Sequence, residues 1–173
     1  MSTVPELETD RLRLRQWHAA DIEAYAAFCA DEATGRFVGG VCNREDAWRR
    51  MSMIVGHWTL RGYGVWALEE KSSRRFVGFS GLWNPEGWPE PEVMWSLVAD
   101  AHGRGYATEA AGCARDFAYR QLGWTTAISL IAPDNVPSRR VAKRLGAVCE
   151  RQVELRGLSV GVYRHPGPTQ LEH

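Results

Sequence analysis

Between Glu92 and Ala111 the chain reads EVMWSLVAD-AHGRGYATEAA, and the two glycines around Arg104 constrain it more than any other feature. An apolar, strand-like run precedes them and a helix-forming run follows. Glycine in a regular element costs roughly 0.5–1 kcal/mol relative to alanine. Two of them at this junction imply that the backbone itself is wanted there. A helix N-terminus carries unpaired N–H groups and a partial positive charge. Glycines ahead of it let a ligand approach those N–H groups with no side chain in the way. The predicted ligand of such a strand–turn–helix unit is a phosphate or pyrophosphate.

The rest of the chain supplies a sheet around that unit. Residues 11–15, Arg-Leu-Arg-Leu-Arg, alternate with a period of two and read as an early strand. Asp21 opens a helical pattern through Ala30, with Ile22, Tyr25, Ala26 and Cys29 on one face. Asn43 followed by Asp46 marks a second helix start, with a stripe of Trp48, Met51, Val55 and Trp58 and a stop at Gly62. Strands are predicted over 65–70, 75–83 and 92–98. A helix follows over 108–122, stopped by Gly123, then a buried strand over 125–131. A short helix over 136–145 is closed by Gly146. A hairpin over 148–155 and 158–164 turns at Arg156-Gly157. The order β–α–α–β–β–β–α–β–α–β–β predicts an α+β fold, one domain over 1–170 around a central mixed sheet. The terminal Leu171-Glu172-His173 reads as the remnant of a vector-encoded tag.

Composition narrows the partners. Hydrophobic residues make up 45% of the 173, enough for a real core, and Lys plus Arg equals Asp plus Glu at 21 each. A balanced chain has no global field to draw in nucleic acid or an anionic membrane, so recognition must be local. No apolar run approaches the ~18 residues of a membrane span, and the N-terminus lacks a signal-peptide core. Cys29, Cys42, Cys113 and Cys149 form no CxxC pair and read as reduced, buried thiols of a cytoplasmic protein, with no metal site expected.

Three phosphate-binding designs compete for the turn. A P-loop needs Gly-Lys-Ser/Thr where this chain has Gly105-Tyr106-Ala107. A dinucleotide-binding fingerprint needs a third glycine where Thr108 stands, and an acidic residue about 20 positions on that is missing. The third design is the acyl-CoA turn of the GNAT-type N-acetyltransferases, Gln/Arg-x-x-Gly-x-Gly/Ala. The chain resembles it in His102-x-x-Gly105-x-Ala107, departing only at the first position. A second segment, from Asn135-Val136-Pro137-Ser138 to Leu145-Gly146-Ala147, resembles the family's Asn-x-x-Ser…Leu-Gly-Phe signature about 30 residues later. The opening Glu8-Thr9-Asp10-Arg11-Leu12-Arg13-Leu14-Arg15 is similar to the first strand of one branch, the ribosomal-protein alanine N-acetyltransferases (RimJ/RimL-like). The resemblance covers the chain from about Leu7 to His165.

That resemblance implies a GNAT-like fold with a mostly antiparallel sheet, and direct transfer from acetyl-CoA to a primary amine through a tetrahedral intermediate. The acceptor is a protein N-terminus or a small amine; a homodimer is compatible. It implies that Gly103, Arg104, Gly105, Tyr106, Ala107 and Thr108, with His102, hold the pyrophosphate. The pantetheine arm then lies against Trp95, Ser96, Leu97 and Val98, with Asn135 bonding it. A backbone N–H at Leu97 or Val98 faces the thioester oxygen. For the base, Glu92 is the first candidate, with Glu90 and Glu86 just before it. Together with Trp83, Trp88 and Trp95 these carboxylates form an acidic, aromatic entrance suited to a cationic amine. Tryptophans in the core are the alternative. The leaving thiolate has no tyrosine at the usual place, which holds Val141, Ala142 and Lys143, so Ser138 is the expected hydrogen-bond donor. Its alternative is to satisfy the backbone of its own helix. Of the basic cluster Arg139, Arg140, Lys143 and Arg144, one or two meet the 3′-phosphate of CoA; an RNA-binding role would need a broader basic face. Cys113 lacks a neighbouring histidine and reads as a core residue rather than an acyl carrier. A non-catalytic acyl-CoA-binding module would show the same cofactor motif.

Overall fold

The computed structural model describes residues 4–171, so the tag-like Glu172 and His173 lie outside the described residues. Eight strands form one sheet in the order β1-β2-β3-β4-β5-β6-β8-β7. They are β1 (Leu7–Glu8), β2 (Leu12–Arg15), β3 (Val65–Glu70), β4 (Phe76–Trp83), β5 (Glu92–Leu97), β6 (Ile128–Ile131), β7 (Val148–Leu155) and β8 (Leu158–Arg164). Every neighbouring pair is antiparallel except β5 with β6. The helices are α1 (Ile22–Ala30), α2 (Glu32–Gly35), α3 (Arg44–Arg61), α4 (Tyr106–Gln121), α5 (Val136–Arg144) and α6 (Pro168–Leu171).

Alternation along the strands sorts side chains to two faces. Val65, Ala67, Phe76 and Phe79 meet α1 and α3 through Tyr25, Phe28, Met51 and Ile54. Trp66, Leu68, Val77 and Val93 meet α4 through Ala110, Ala114 and Ala118. Small residues along α4 let it lie close on the sheet and fix where its N-terminus points.

Most expected elements are present, with three differences. Helix α4 starts at Tyr106, two residues before the expected start, because Gly105 takes the left-handed conformation (φ 82°) and acts as N-cap. Strand β6 begins at Ile128 rather than 125, since the first ladder bond to β5 is Ile128 N–H to the Pro91 carbonyl, 3.2 Å. On α3 the buried line is Ala47, Met51, Ile54 and Trp58; Trp48 and Val55 face outward. The expected stripe mixed two lines, each repeating every seven residues. All four cysteines are free thiols, but only Cys29 is buried, and Cys149 is exposed.

Candidate active site

The sheet opens where β5 leaves β6. Only Glu92 and Ile128 pair across this parallel junction. On its other side β5 follows β4 along its full length, from Trp83–Glu92 to Gly78–Leu97, and Val98 N–H continues the ladder to the Val77 carbonyl at 3.0 Å. In an antiparallel pair, alternate residues point their amides at the partner. The even-numbered amides of β5 therefore face β4, and those of Trp95 and Leu97 face the gap. This corrects the expectation for Val98: its N–H is committed to the ladder, leaving Leu97, with Trp95, as the gap-facing donor.

The carbonyls on that edge are each covered by a side-chain donor. Ser129 Oγ donates to Val93 O at 2.5 Å, Ser96 Oγ to Trp95 O at 2.8 Å, and His102 Nε2 to Leu97 O at 3.0 Å. A carbonyl only accepts, so His102 carries its proton on Nε2. The histidine that departs from the family pattern thus caps the strand leading into the turn. The exposed edge of β5 offers N–H groups and no open carbonyl, an arrangement suited to an acceptor-bearing ligand.

At the open end of the gap stands the glycine turn. Gly103 (φ 74°) and Gly105 (φ 82°) are both left-handed. The first intrahelical bond of α4 is Glu109 N–H to the Gly105 carbonyl. Among the described residues, the N–H groups of Gly103, Arg104, Gly105, Tyr106, Ala107 and Thr108 have no acceptor. The buried Thr108 hydroxyl has no partner either. Residues 103–105 are exposed, so these amides stand open at the start of α4, where converging N–H groups and the helix dipole suit an anionic ligand.

Arg11 and Glu109 hold this turn rigidly. Glu109 accepts from Thr9 Oγ1 at 2.6 Å, Arg11 N–H at 2.9 Å and Arg11 Nε at 2.8 Å. Arg11 also donates to the Arg104 carbonyl at 2.8 Å. Arg11 and Arg104 each lie 4.6 Å from the Tyr106 ring centroid. Arg104 pairs with Glu70 at 2.6 Å, and the Tyr106 hydroxyl donates to the same oxygen at 2.5 Å. Hydrogen bonds from Ser73 and Tyr106, with Arg104 beside them, hold the Glu70 carboxyl down at about 2.

Across the gap, Asn135 caps α5 through its side-chain oxygen, which accepts from Ser138 N–H at 3.3 Å. The half-buried Ser138 hydroxyl makes no hydrogen bond among the described residues, so backbone satisfaction of that helix falls to Asn135. Arg36 on the α2 side pairs with Asp134, one residue before Asn135. Arg140, Lys143 and Arg144 are exposed on α5, and Arg139 donates to the Pro133 carbonyl at 3.2 Å.

The expected acidic entrance is not assembled. Trp83 and Trp95 lie on opposite faces of the sheet. Trp83 stacks on His57, ring centroids 4.6 Å apart. Trp95 packs beside Ile131, Ala142 and Ala147. Glu86 pairs with Arg61, and Glu90 with both Arg164 (2.6 Å) and Arg151 (2.9 Å). The Arg164 hydrogen bonds pull the Glu90 carboxyl down to about 2. Trp88 is covered by Arg156. These carboxylates stand next to one another in sequence, but arginines from distant β8, β7 and α3 neutralise them.

Glu92 differs from its neighbours. It is 6% exposed, at the apex of the gap, on the α1/α3 face. Its carboxylate accepts from Leu130 N–H at 2.9 Å and Trp88 Nε1 at 2.8 Å and meets no cation among the described residues. Burial pushes it up to about 7 against those two hydrogen bonds. Sequence reading missed the roles of Ser129, His165 and Arg11, polar residues whose partners lie tens of residues away.

Comparisons with known proteins agree with this geometry. Residues 11–148 match the family described as "Acetyltransferase (GNAT) domain". An acetyltransferase from Agrobacterium tumefaciens is 31% identical, with a TM-score of 0.86 over 95% of this chain and 96% of that one. The Bacillus subtilis protein YoaA, named an uncharacterized N-acetyltransferase, is 28% identical over 148 residues, 82% of each chain. The ribosomal L7/L12 acetyltransferase RimL, solved in complex with coenzyme A, shares the fold at a TM-score of 0.77 and 15% identity, covering 94% of this chain and 98% of that one. A family match spanning most of the sequence, on a sheet that opens beside a turn of unpaired amides, means that the chain belongs to the GNAT acetyltransferases.

Proposed function

We propose that this GNAT acetyltransferase moves the acetyl group of acetyl-CoA directly to a primary amine, a protein N-terminus or a small amine, in the gap between β5 and β6. The observation that carries the reading is the run of unpaired donors, from Trp95 and Leu97 on the gap edge to the six amides of residues 103–108. The residues fit CoA. The glycine-turn amides and the Thr108 hydroxyl take the pyrophosphate, and the Asn135 amide bonds the pantetheine arm. Exposed cations of α5 meet the 3′-phosphate. Acetyl-CoA supplies an activated thioester, and the chain does the rest.

Leu97 N–H holds the carbonyl oxygen as negative charge develops there; one such preorganised donor is typically worth about 10²–10³ in rate. Glu92 receives the proton of the attacking amine, directly or through water, from the α1/α3 face. Its position near neutrality suits that work, since a base held near the working pH is both available and strong enough. Ser138 donates a hydrogen bond to the departing sulfur.

Thermal unfolding with and without acetyl-CoA tests the reading, followed by the same scan across an amine panel that includes peptides with free N-termini. Ligand that binds only the folded state raises the midpoint. A rise of several degrees at millimolar acetyl-CoA is expected, with a further rise for the acceptor class. An unchanged midpoint at saturating acetyl-CoA would refute it.

A further inference from the structure

We propose that Ser129 and Glu92 form a side-chain wedge that replaces one rung of the β5–β6 ladder, keeps the two strands apart and so creates the acyl slot. The register defines the missing rung. In a parallel ladder the bond from Ile128 N–H to Pro91 O is followed, two residues on, by Leu130 N–H to Val93 O, and then by Trp95 N–H to Leu130 O. The first bond is present at 3.2 Å. The second is replaced at both ends: Leu130 N–H donates instead to Glu92 Oε1 at 2.9 Å, and Val93 O accepts instead from Ser129 Oγ at 2.5 Å. Each backbone group of the absent rung is satisfied, so the strands separate without leaving buried groups unpaired. Beyond this point Trp95 N–H and Leu97 N–H face an open slot.

A buried chain behind Ser129 fixes its direction. The Ser129 proton is committed to a carbonyl, so His165 Nε2, 2.8 Å away, must donate to Ser129 Oγ. His165 Nδ1 then accepts from Arg115 Nη1 at 3.2 Å, and that nitrogen also donates to the Leu145 carbonyl at 2.6 Å. Arginine can only donate and a carbonyl can only accept, so the chain Arg115, His165, Ser129, Val93 has one possible polarity. His165 is 2% exposed; burial, with Arg115 and Arg164 nearby, pushes it down to about 3, so the ring stays neutral with its proton on Nε2. The arrangement holds Ser129 in the one rotamer that covers Val93 O. Arg115 and His165 are positioning residues for the wedge, not participants in the chemistry.

This inference rests on the gap being the acyl slot, but its test is made first on ligand-free protein. Amide hydrogen exchange, resolved by NMR, is compared for wild type, Ser129→Ala and Ser129→Thr. In Ser129→Ala the freed Val93 carbonyl takes Leu130 N–H, the ladder closes by a rung, and Trp95 N–H gains a partner. Trp95 exchange is therefore expected to slow about tenfold or more, while a merely structural loss would speed it. Acetyl-CoA affinity falls about tenfold in the same variant. Ser129→Thr keeps the hydroxyl and behaves as wild type in both measurements. Should Ser129→Ala fail to fold, Ser129→Cys, nearly the same size with a weak donor, carries the same expectation. Trp95 exchange that is unchanged or faster overturns the wedge, as does slower exchange with unchanged acetyl-CoA affinity. If wild type itself binds no acetyl-CoA while Trp95 becomes protected in the variant, the wedge stands and the acetyl-CoA reading falls.

Discussion

The two ends of β5 are about 20 Å of strand apart and solve opposite problems. At the C-terminal end, beyond Leu97, the backbone turns through two left-handed glycines and leaves six amides without acceptors among the described residues. At the N-terminal end, Glu86 and Glu90 are rich in charge, yet each carboxylate is matched by an arginine. The first region is polar and unfinished, and the second is polar and complete. The amides at the start of a helix have no partner within it, whereas a carboxylate beside an arginine is already paired. Amides that converge at a helix N-terminus therefore point to an anionic ligand, and charge density alone does not.

The sharpest way to break this contrast is to fill the unfinished end. Gly105→Glu places a side chain and a negative charge where the amides converge, at a backbone conformation that non-glycine residues rarely adopt. Loss of acetyl-CoA affinity by more than about 100-fold is expected, measured by calorimetry, with circular dichroism showing a folded chain. The stability cost of the left-handed position is about 1–2 kcal/mol. Retained affinity would place the pyrophosphate elsewhere.

How far each end was legible follows from the range of its interactions. The turn is local: strand, two glycines and helix occupy twenty consecutive residues, and its chemistry belongs to the backbone, so composition and order suffice to predict it. The Asn135–Ser138 cap of α5 is local in the same way. The closed end is non-local. Glu90 meets Arg164 and Arg151, 74 and 61 residues away, and no sequence period announces such a pairing. The split between Leu97 and Val98 was equally hidden, because it depends on the phase of β5 against β4, which one added residue would reverse. Ser129 and His165 gave no signal at all, being single polar residues in an apolar strand or at its end.

Glu92 belongs to neither kind, and its titration tests whether that intermediate status matters. Its carboxylate is hydrogen-bonded but has no cation beside it among the described residues, and burial raises it to about 7. The rate of transfer is expected to rise with pH through about 7 as the carboxylate loses its proton. Glu92→Gln lowers kcat by about 10²–10⁴ and flattens that rise. Stability moves the other way. A carboxyl whose folded pKa lies above its unfolded value contributes stability fully below the unfolded value, near 4.5, and loses it as pH climbs to about 7. The loss is on the order of 3 kcal/mol. Urea denaturation across pH 4–8 reads it as the difference between wild type and Glu92→Gln. A variant with an unchanged rate–pH profile would remove Glu92 as the base.

The smallest effect is expected where the charge is most concentrated. Glu90→Gln removes a carboxylate that bonds Arg164 through both oxygens, and Arg151 through one. If Glu90 attracted the acceptor amine, the variant would raise KM for the amine substantially. With the carboxylate already neutralised, KM and kcat are expected to stay within about twofold of wild type, while stability falls by about 1 kcal/mol because the pair is partly open to water. The pH dependence separates the two outcomes again. Glu90 is held at about 2, below its unfolded value, so its contribution is present above pH 4.5 and disappears as pH falls toward 2. Denaturation curves of wild type and Glu90→Gln should therefore converge in acid and separate at neutral pH with wild type the more stable, whereas the Glu92 pair separates with the opposite sign, wild type being the less stable. A large change in amine KM would mean that the arginines yield this carboxylate to the substrate, and the closed end of β5 would become part of the acceptor site.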